Sequence, residues 1–389
     1  MIPITKPVFD ETDLAIIQEP LKSGWVVQGP YVKQFEDLFS RFTGAAHSIA
    51  TTSCTTALHI AMAALGVKPG DEVLVPAFTW VATANCVEYL GAKPVFVDID
   101  LETFNIDIHK IEEKVTPRTR GIIPVHLFGL AADMEAIGTI ARKHGLFVVE
   151  DAACGFDTWF QQRHVGTFGD FGCFSFHPRK AITTGEGGMI TTQDPAQDEL
   201  CRSLRDHGAS RSDMQRHKQK YSFLLAEYRH LGYNFRMTDI QGALGVSQMM
   251  KAKKIMAERR KTAHAYDRRL KEMWWIQRPW RHKDYIHGYQ SYVCLFRPED
   301  ASLKNWKKIF MRRNKIMAIL EKEGIMTRQG THAAALAGYY ADKYSLRPEN
   351  YPNAFLAEKL TISLPLYFGM NPSDVDFIGT ALDRAFKSL

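Results

Sequence analysis

Seven short apolar runs occupy the first half of the chain: 47–52 (HSIATT), 72–76 (EVLVP), 94–98 (PVFVD), 121–127 (GIIPVHL), 146–151 (LFVVED), 172–176 (GCFSF) and 188–192 (GMITT). Segments near 55–66, 78–90, 132–144 and 195–207 fall between them with helical apolar spacing. Near-continuous Val/Ile runs mark strands buried on both faces, and a mostly parallel sheet covered by helices provides such burial. The pattern predicts an α/β fold on a mostly parallel seven-stranded sheet with flanking helices. Ligands in such sheets lie outside the carboxyl ends of the strands, so the strand-to-helix corners are where chemistry is expected.

The pattern changes after residue 237. A single helix is predicted over 238–272, then a strand at 289–296, a helix at 302–324 and a last helix near 373–387. At 389 residues the chain is long for one hydrophobic core. The expected division is a large α/β domain over 1–250, then a connecting helix and a smaller C-terminal α+β domain over 251–389.

Charge and cysteine usage narrow the class. The net charge of +6, from 49 basic and 43 acidic side chains, suits an anionic small molecule. Nucleic acid is not expected: the densest basic stretch, 251–261, interleaves Ile255, Met256 and Ala257 at helical spacing and reads as a solvated helix face. Six cysteines (54, 86, 154, 173, 201, 294) are scattered without a CxxC pair, which fits neither a disulfide framework nor a zinc site. Residues 1–13 lack a signal-peptide pattern and no run of about 18 apolar residues occurs, so a cytoplasmic location without a membrane span is expected.

Four corners carry candidate chemistry. In 51–65 (TTSCTTALHIAMAAL) small hydroxyl residues start a helix; Thr55 and Thr56 are either N-caps or donors to a phosphate. In 75–85 (VPAFTWVATAN) Trp80 falls just past a strand end, as core or as a surface for a flat ring. In 148–157 (VVEDAACGFD) Asp151 ends a buried strand, where a carboxylate needs a partner. In 173–189 (CFSFHPRKAITTGEGGM) Ser175 and Lys180 leave one strand for a glycine-rich loop, whose Gly185, Gly187 and Gly188 are expected to supply unusual backbone angles. One ligand answers all four: a phosphate on the helix start and Ser175, a ring on Trp80, a protonated ring nitrogen on Asp151, and an aldehyde for Lys180. That ligand is pyridoxal 5′-phosphate.

The stretches 22–36 (KSGWVVQGPYVKQFE), 66–100, 126–137 (HLFGLAADMEAI), 148–153, 166–189 and 232–245 (GYNFRMTDIQGALG) together resemble the DegT/DnrJ/EryC1/StrS sugar aminotransferases, a group of fold-type I pyridoxal-phosphate enzymes, over nearly the whole chain. The resemblance implies that Lys180 condenses with the cofactor, Asp151 pairs with its ring nitrogen, Trp80 stacks on the ring, and Thr55, Thr56 and Ser175 hold the phosphate. Asn234 is similar to an asparagine that reaches the phosphate of the neighbouring subunit, which implies a homodimer with shared active sites. The implied donor is L-glutamate. The implied acceptor is a nucleotide-linked keto-deoxy sugar, with a 4-keto-6-deoxy sugar favoured, for the amino sugars of surface polysaccharides such as lipopolysaccharide O-antigen or of natural products. Arg236, Arg328 and His332 are substrate-contact candidates, and Glu186 either orients the loop after Lys180 or meets the sugar. Cys54 and Cys154 depart from the family, which often has Gly or Ala, and Gln or His, at those places. Alternatives stay open: a dehydratase relative, which Lys180 opposes because those carry His there; a ring-ketone relative of cyclitol or aminobenzoate type; and, least favoured, a non-catalytic cofactor-binding sensor.

Overall fold

The computed structural model describes residues 1–210 and 225–389. A seven-stranded sheet forms its centre. The strands, in chain order, are β1 (His47–Thr51), β2 (Glu72–Pro76), β3 (Lys93–Val97), β4 (Thr119–Ile122), β5 (Phe147–Asp151), β8 (Phe171–Ser175) and β9 (Gly188–Thr192), with the short pair β6 (Trp159–Phe160) and β7 (Arg163–His164) beside the sheet. The spatial order is β1-β9-β8-β5-β4-β2-β3. Every central pairing from β8 to β3 is parallel, while β9 runs antiparallel to both β1 and β8. The predicted fold class is therefore observed. All five residues of β2 and of β9 are buried, as the near-continuous apolar runs require.

The fourth strand is shorter than its sequence run. It stops at Ile122, and Pro124, which has no N–H for the ladder, follows. Val125 returns as an isolated bridge beside Asp151.

Helix Asp239–Arg269 links the sheet to the C-terminal part. Thr238 caps it, with Gln241 closing a capping box. Its first half lies on the N-terminal helices α1 (Glu11–Ser23) and α2 (Pro30–Thr43), where Asp239 accepts from the Val32 N–H at 2.8 Å and Gln248 donates to the Val8 carbonyl at 2.8 Å. Its second half holds C-terminal backbone: Arg259 donates to the carbonyls of Tyr289, Gln290 and Leu366, and the Tyr266 hydroxyl to that of Pro365. A three-stranded antiparallel sheet of Ile276–Gln277, Tyr292–Phe296 and Thr361–Leu364 forms there, with helices Trp306–Lys322 and Pro372–Lys387. The strand Thr361–Leu364 was not predicted. Among the described residues no helix is long and apolar enough to cross a membrane.

Candidate active site

A cleft of about 570 Å³ opens at the carboxyl ends of β1, β5 and β8. Thr55, Trp80, Asp151, Ser175, Lys180, Glu186, Arg328 and His332 all line it, although they come from five separate segments of the chain. Thr56, Asn234 and Arg236 do not.

Helix α3 (Cys54–Ala64) begins at the first corner. Ser53 is its N-cap: the Ser53 hydroxyl accepts from the Thr56 N–H at 3.2 Å, and the Thr56 hydroxyl accepts from the Ser53 N–H at 3.0 Å. Thr56 is thereby committed to the cap, while Thr55 faces the cleft. Among the described residues the N–H groups of Cys54 and Thr55 meet no acceptor, so the helix start presents two donors and a hydroxyl to an anion. Burial, and then the neighbouring Asp151 carboxylate, push the Cys54 thiol well up, so it stays neutral and does not repel that anion.

The second corner gives Trp80, 55% exposed, with its ring edge-on to His332 at 5.4 Å. Just beyond, on α4 (Ala82–Glu88), lies Thr83, fully buried. Its hydroxyl donates to Asp151 Oδ2 at 2.7 Å. Asp151 is 4% exposed, and its Oδ1 accepts the Ala153 N–H at 3.1 Å. The expected cationic partner is not supplied by the protein: among the described residues no basic side chain lies within ion-pair distance of Asp151, and its remaining acceptor capacity is left for a ligand.

At the fourth corner Ser175 ends β8 and Lys180 follows within a turn, its N–H donating to the His177 carbonyl at 2.8 Å. Lys180 Nζ reaches Cys154 Sγ at 3.3 Å, so the departing cysteine faces the lysine directly. The Thr183 hydroxyl and Thr184 N–H both donate to the Phe176 carbonyl, which closes the loop back on the strand end. The glycines behave differently from the expectation. Only Gly185 has a positive φ, +82°. Gly188 is needed for space, since a Cβ there would sit 2.3 Å from the Ser53 carbonyl and push β9 off the helix start. Glu186 is exposed at the rim, with its carboxylate 3.8 Å from His177.

Arg236 is held in an ion pair with Asp206, and Asn234 is exposed with its backbone bridged to Asp206. The segment Arg328–His332 forms the far wall. It is fixed by backbone pairing of Arg328 with Ser363 and by Glu358, whose carboxylate accepts from the Ala333 N–H at 2.8 Å. Residues not singled out from sequence also line the cleft, among them Thr79, Gln290 and Glu358. Thr79 and Thr83 carried a signal, two threonines four apart at a strand-to-helix corner. Gln290 carried none; its amide donates to the Arg179 carbonyl at 3.1 Å, a contact set by tertiary folding.

The model of the DegT/DnrJ/EryC1/StrS aminotransferase family matches residues 7–383. The chain belongs to that family. It is 37% identical over 386 residues to the spore coat polysaccharide biosynthesis protein SpsC of Bacillus subtilis, covering 99% of this chain and 97% of the relative. Its fold superposes on Helicobacter pylori PseC, an aminotransferase of pseudoaminic acid biosynthesis, with TM-score 0.90 at 27% identity and full coverage of both chains. The pyridoxamine-phosphate form of the sugar aminotransferase Spr1654 from Streptococcus pneumoniae gives TM-score 0.91 at 27% identity, again covering all of both chains. The enzyme is a sugar aminotransferase of this family, which uses pyridoxal 5′-phosphate. The residues present fit that cofactor: free N–H donors at one end of the cleft, an incompletely satisfied buried carboxylate deep within it, and a lysine amine facing it that makes no ion pair among the described residues.

Proposed function

We propose that the enzyme takes the amino group of L-glutamate and delivers it to a nucleotide-linked keto-deoxy sugar, with a 4-keto-6-deoxy sugar the preferred acceptor, as a homodimer that shares its active sites. The observation that carries this is the distribution of charge in the cleft. Its buried part holds Asp151, and its exposed lining holds Arg179, Arg328 and His332. A ring with a protonated nitrogen suits the first, and a dicarboxylate donor or a diphosphate-bearing acceptor suits the second. The sugar-related activities of PseC and SpsC support the acceptor class. Asn234, exposed and outside its own chain's cleft, is available to a partner's site. All six cysteines are free, which fits the cytoplasm.

Each residue has a task under this reading. When bound, the cofactor supplies an aldehyde that takes up amines and a ring that withdraws electrons. Asp151 holds the ring nitrogen's proton. The helix start at Cys54 and Thr55, with Ser175, seats the phosphate. Trp80 covers one side of the cleft. Lys180 Nζ would take the proton from the donor's α-carbon and hand it on. Arg328 and His332 orient the anionic ends of the two substrates.

Absorption spectroscopy tests the proposal. Addition of L-glutamate alone to the yellow holoenzyme is expected to bleach the long-wavelength band and release 2-oxoglutarate stoichiometrically. A nucleotide 4-keto-6-deoxy sugar is expected to restore the band. A spectrum unmoved by glutamate but bleached by another amino acid would overturn the donor, and restoration by ring ketones without a nucleotide would overturn the acceptor.

A further inference from the structure

Thr83 sits in a helix, where threonine hydroxyls commonly bond back to a carbonyl of the preceding turn. Here the hydroxyl instead reaches Asp151, 68 residues away in sequence, at 2.7 Å. An ionised carboxylate can only accept, so the Thr83 proton is committed to Asp151 Oδ2. The Thr83 oxygen lies 2.9 Å from the Thr79 hydroxyl, and with its own proton in use Thr83 must be the acceptor there. The chain of hydrogen bonds therefore has one direction, from Thr79 to Thr83 to Asp151. Thr79 and Thr83 are both buried, so neither is readily replaced by water. Thr79 lines the cleft, and its N–H donates to the His332 carbonyl at 3.1 Å. One short segment thus joins the carboxylate to the substrate-facing wall.

We propose that Thr79 and Thr83 are positioning residues that fix the plane of the Asp151 carboxylate, and that they tie its orientation to the Arg328–His332 wall. The inference rests on Asp151 being the partner of the cofactor's ring nitrogen. A donated hydrogen bond favours the charged form of a carboxylate, and a second bond behind it strengthens the first. Thr83→Val keeps the shape and removes the chain.

The test compares wild type, Thr83→Val, Thr83→Ser, Thr79→Val and Asp151→Asn as holoenzymes. Three readouts are taken: the pH midpoint of the bound cofactor's absorption band, the cofactor dissociation constant by equilibrium dialysis, and the glutamate half-reaction rate. Thr83→Val is expected to shift the midpoint and weaken cofactor binding by roughly 10- to 100-fold, the range for a lost hydrogen bond to a charged group. Thr83→Ser should return both most of the way to wild type, and Thr79→Val should move both in the same direction by less. Wild-type midpoint and affinity in Thr83→Val, with both altered in Asp151→Asn, would overturn the positioning role alone. Unchanged values in Asp151→Asn would overturn the underlying assignment and this inference with it. If Thr83→Val fails to fold, Thr79→Val decides: a shift supports the chain of bonds, and none refutes it.

Discussion

Glu150 and Asp151 are adjacent acids at the end of one strand, both almost wholly buried, and they are used in opposite ways. Successive strand residues point to opposite faces. Glu150 Oε1 accepts from the N–H groups of Phe168 and Gly169, and Oε2 from the Gly166 N–H and His126 Nε2, at 2.6–2.9 Å. His126 Nδ1 accepts the Ala132 N–H, so the neutral ring carries its proton on Nε2 toward Glu150. Each Glu150 oxygen has two donors. Asp151 has two in total, Thr83 and the Ala153 N–H. Burial is common to both acids, and the number of protein donors separates them. A carboxylate saturated by its own chain stabilises a loop, whereas one left half-satisfied at a cleft is available to a ligand.

Removing the saturated acid should have the larger effect. Glu150→Ala strands four donors, each costing about 1–3 kcal/mol if unpaired, so a loss on the order of 3–5 kcal/mol is expected after partial rescue by water. Denaturant or thermal unfolding measures it, and the activity per folded molecule should stay near wild type. An enzyme as stable as wild type would show that the donor count does not gauge structural weight here.

Asp151→Asn should do the reverse. It preserves shape and both donors' contacts to oxygen in part, so unfolding should change little. Turnover should fall by roughly 10²–10³-fold, as for loss of a preorganised charged group. A large loss of stability with turnover intact would erase the distinction between the two acids.

That distinction was only half legible in the sequence. The run FVVED announces a buried strand ending in two acids, and alternation places them on opposite faces, but nothing local says which face is the cleft. The corner residues Trp80, Asp151, Ser175 and Lys180 were legible because each is placed by the strand it ends or follows. Thr56 was ambiguous because helix caps and phosphate seats use the same residue types at the same place. The glycine loop was half read: Gly185 serves backbone angle, but Gly188 serves a contact with Ser53, which is distant in sequence. The wall at Arg328–His332 and the strand Thr361–Leu364 depend on pairing across long separations, and their local sequence carries no comparable signal.

Acidification sharpens the same comparison with a smaller effect. Burial works against the charge on Glu150, but His126 and the surrounding N–H groups outweigh it and hold its carboxyl below the usual range. Burial likewise opposes the charge on Glu36, while Arg202, Arg205 and the Ala50 N–H hold its carboxyl below the usual range. A carboxyl with a lowered folded-state value contributes stability that is fully present above its unfolded value, about 4.3, and is lost as pH falls through the folded value. The melting temperature should therefore hold from neutral pH to about 5 and decline below about 4. Each tenfold gain in a carboxyl's acidity on folding corresponds to roughly 1.4 kcal/mol of the stability lost there. Glu150→Ala has already lost its share, so its decline should be shallower than that of wild type, with Glu36 among the carboxyls that supply what remains. Parallel acid limbs in wild type and Glu150→Ala would mean that Glu150 does not stabilise the loop through its charge, and the contrast between the two acids would then rest on shape rather than on ionisation.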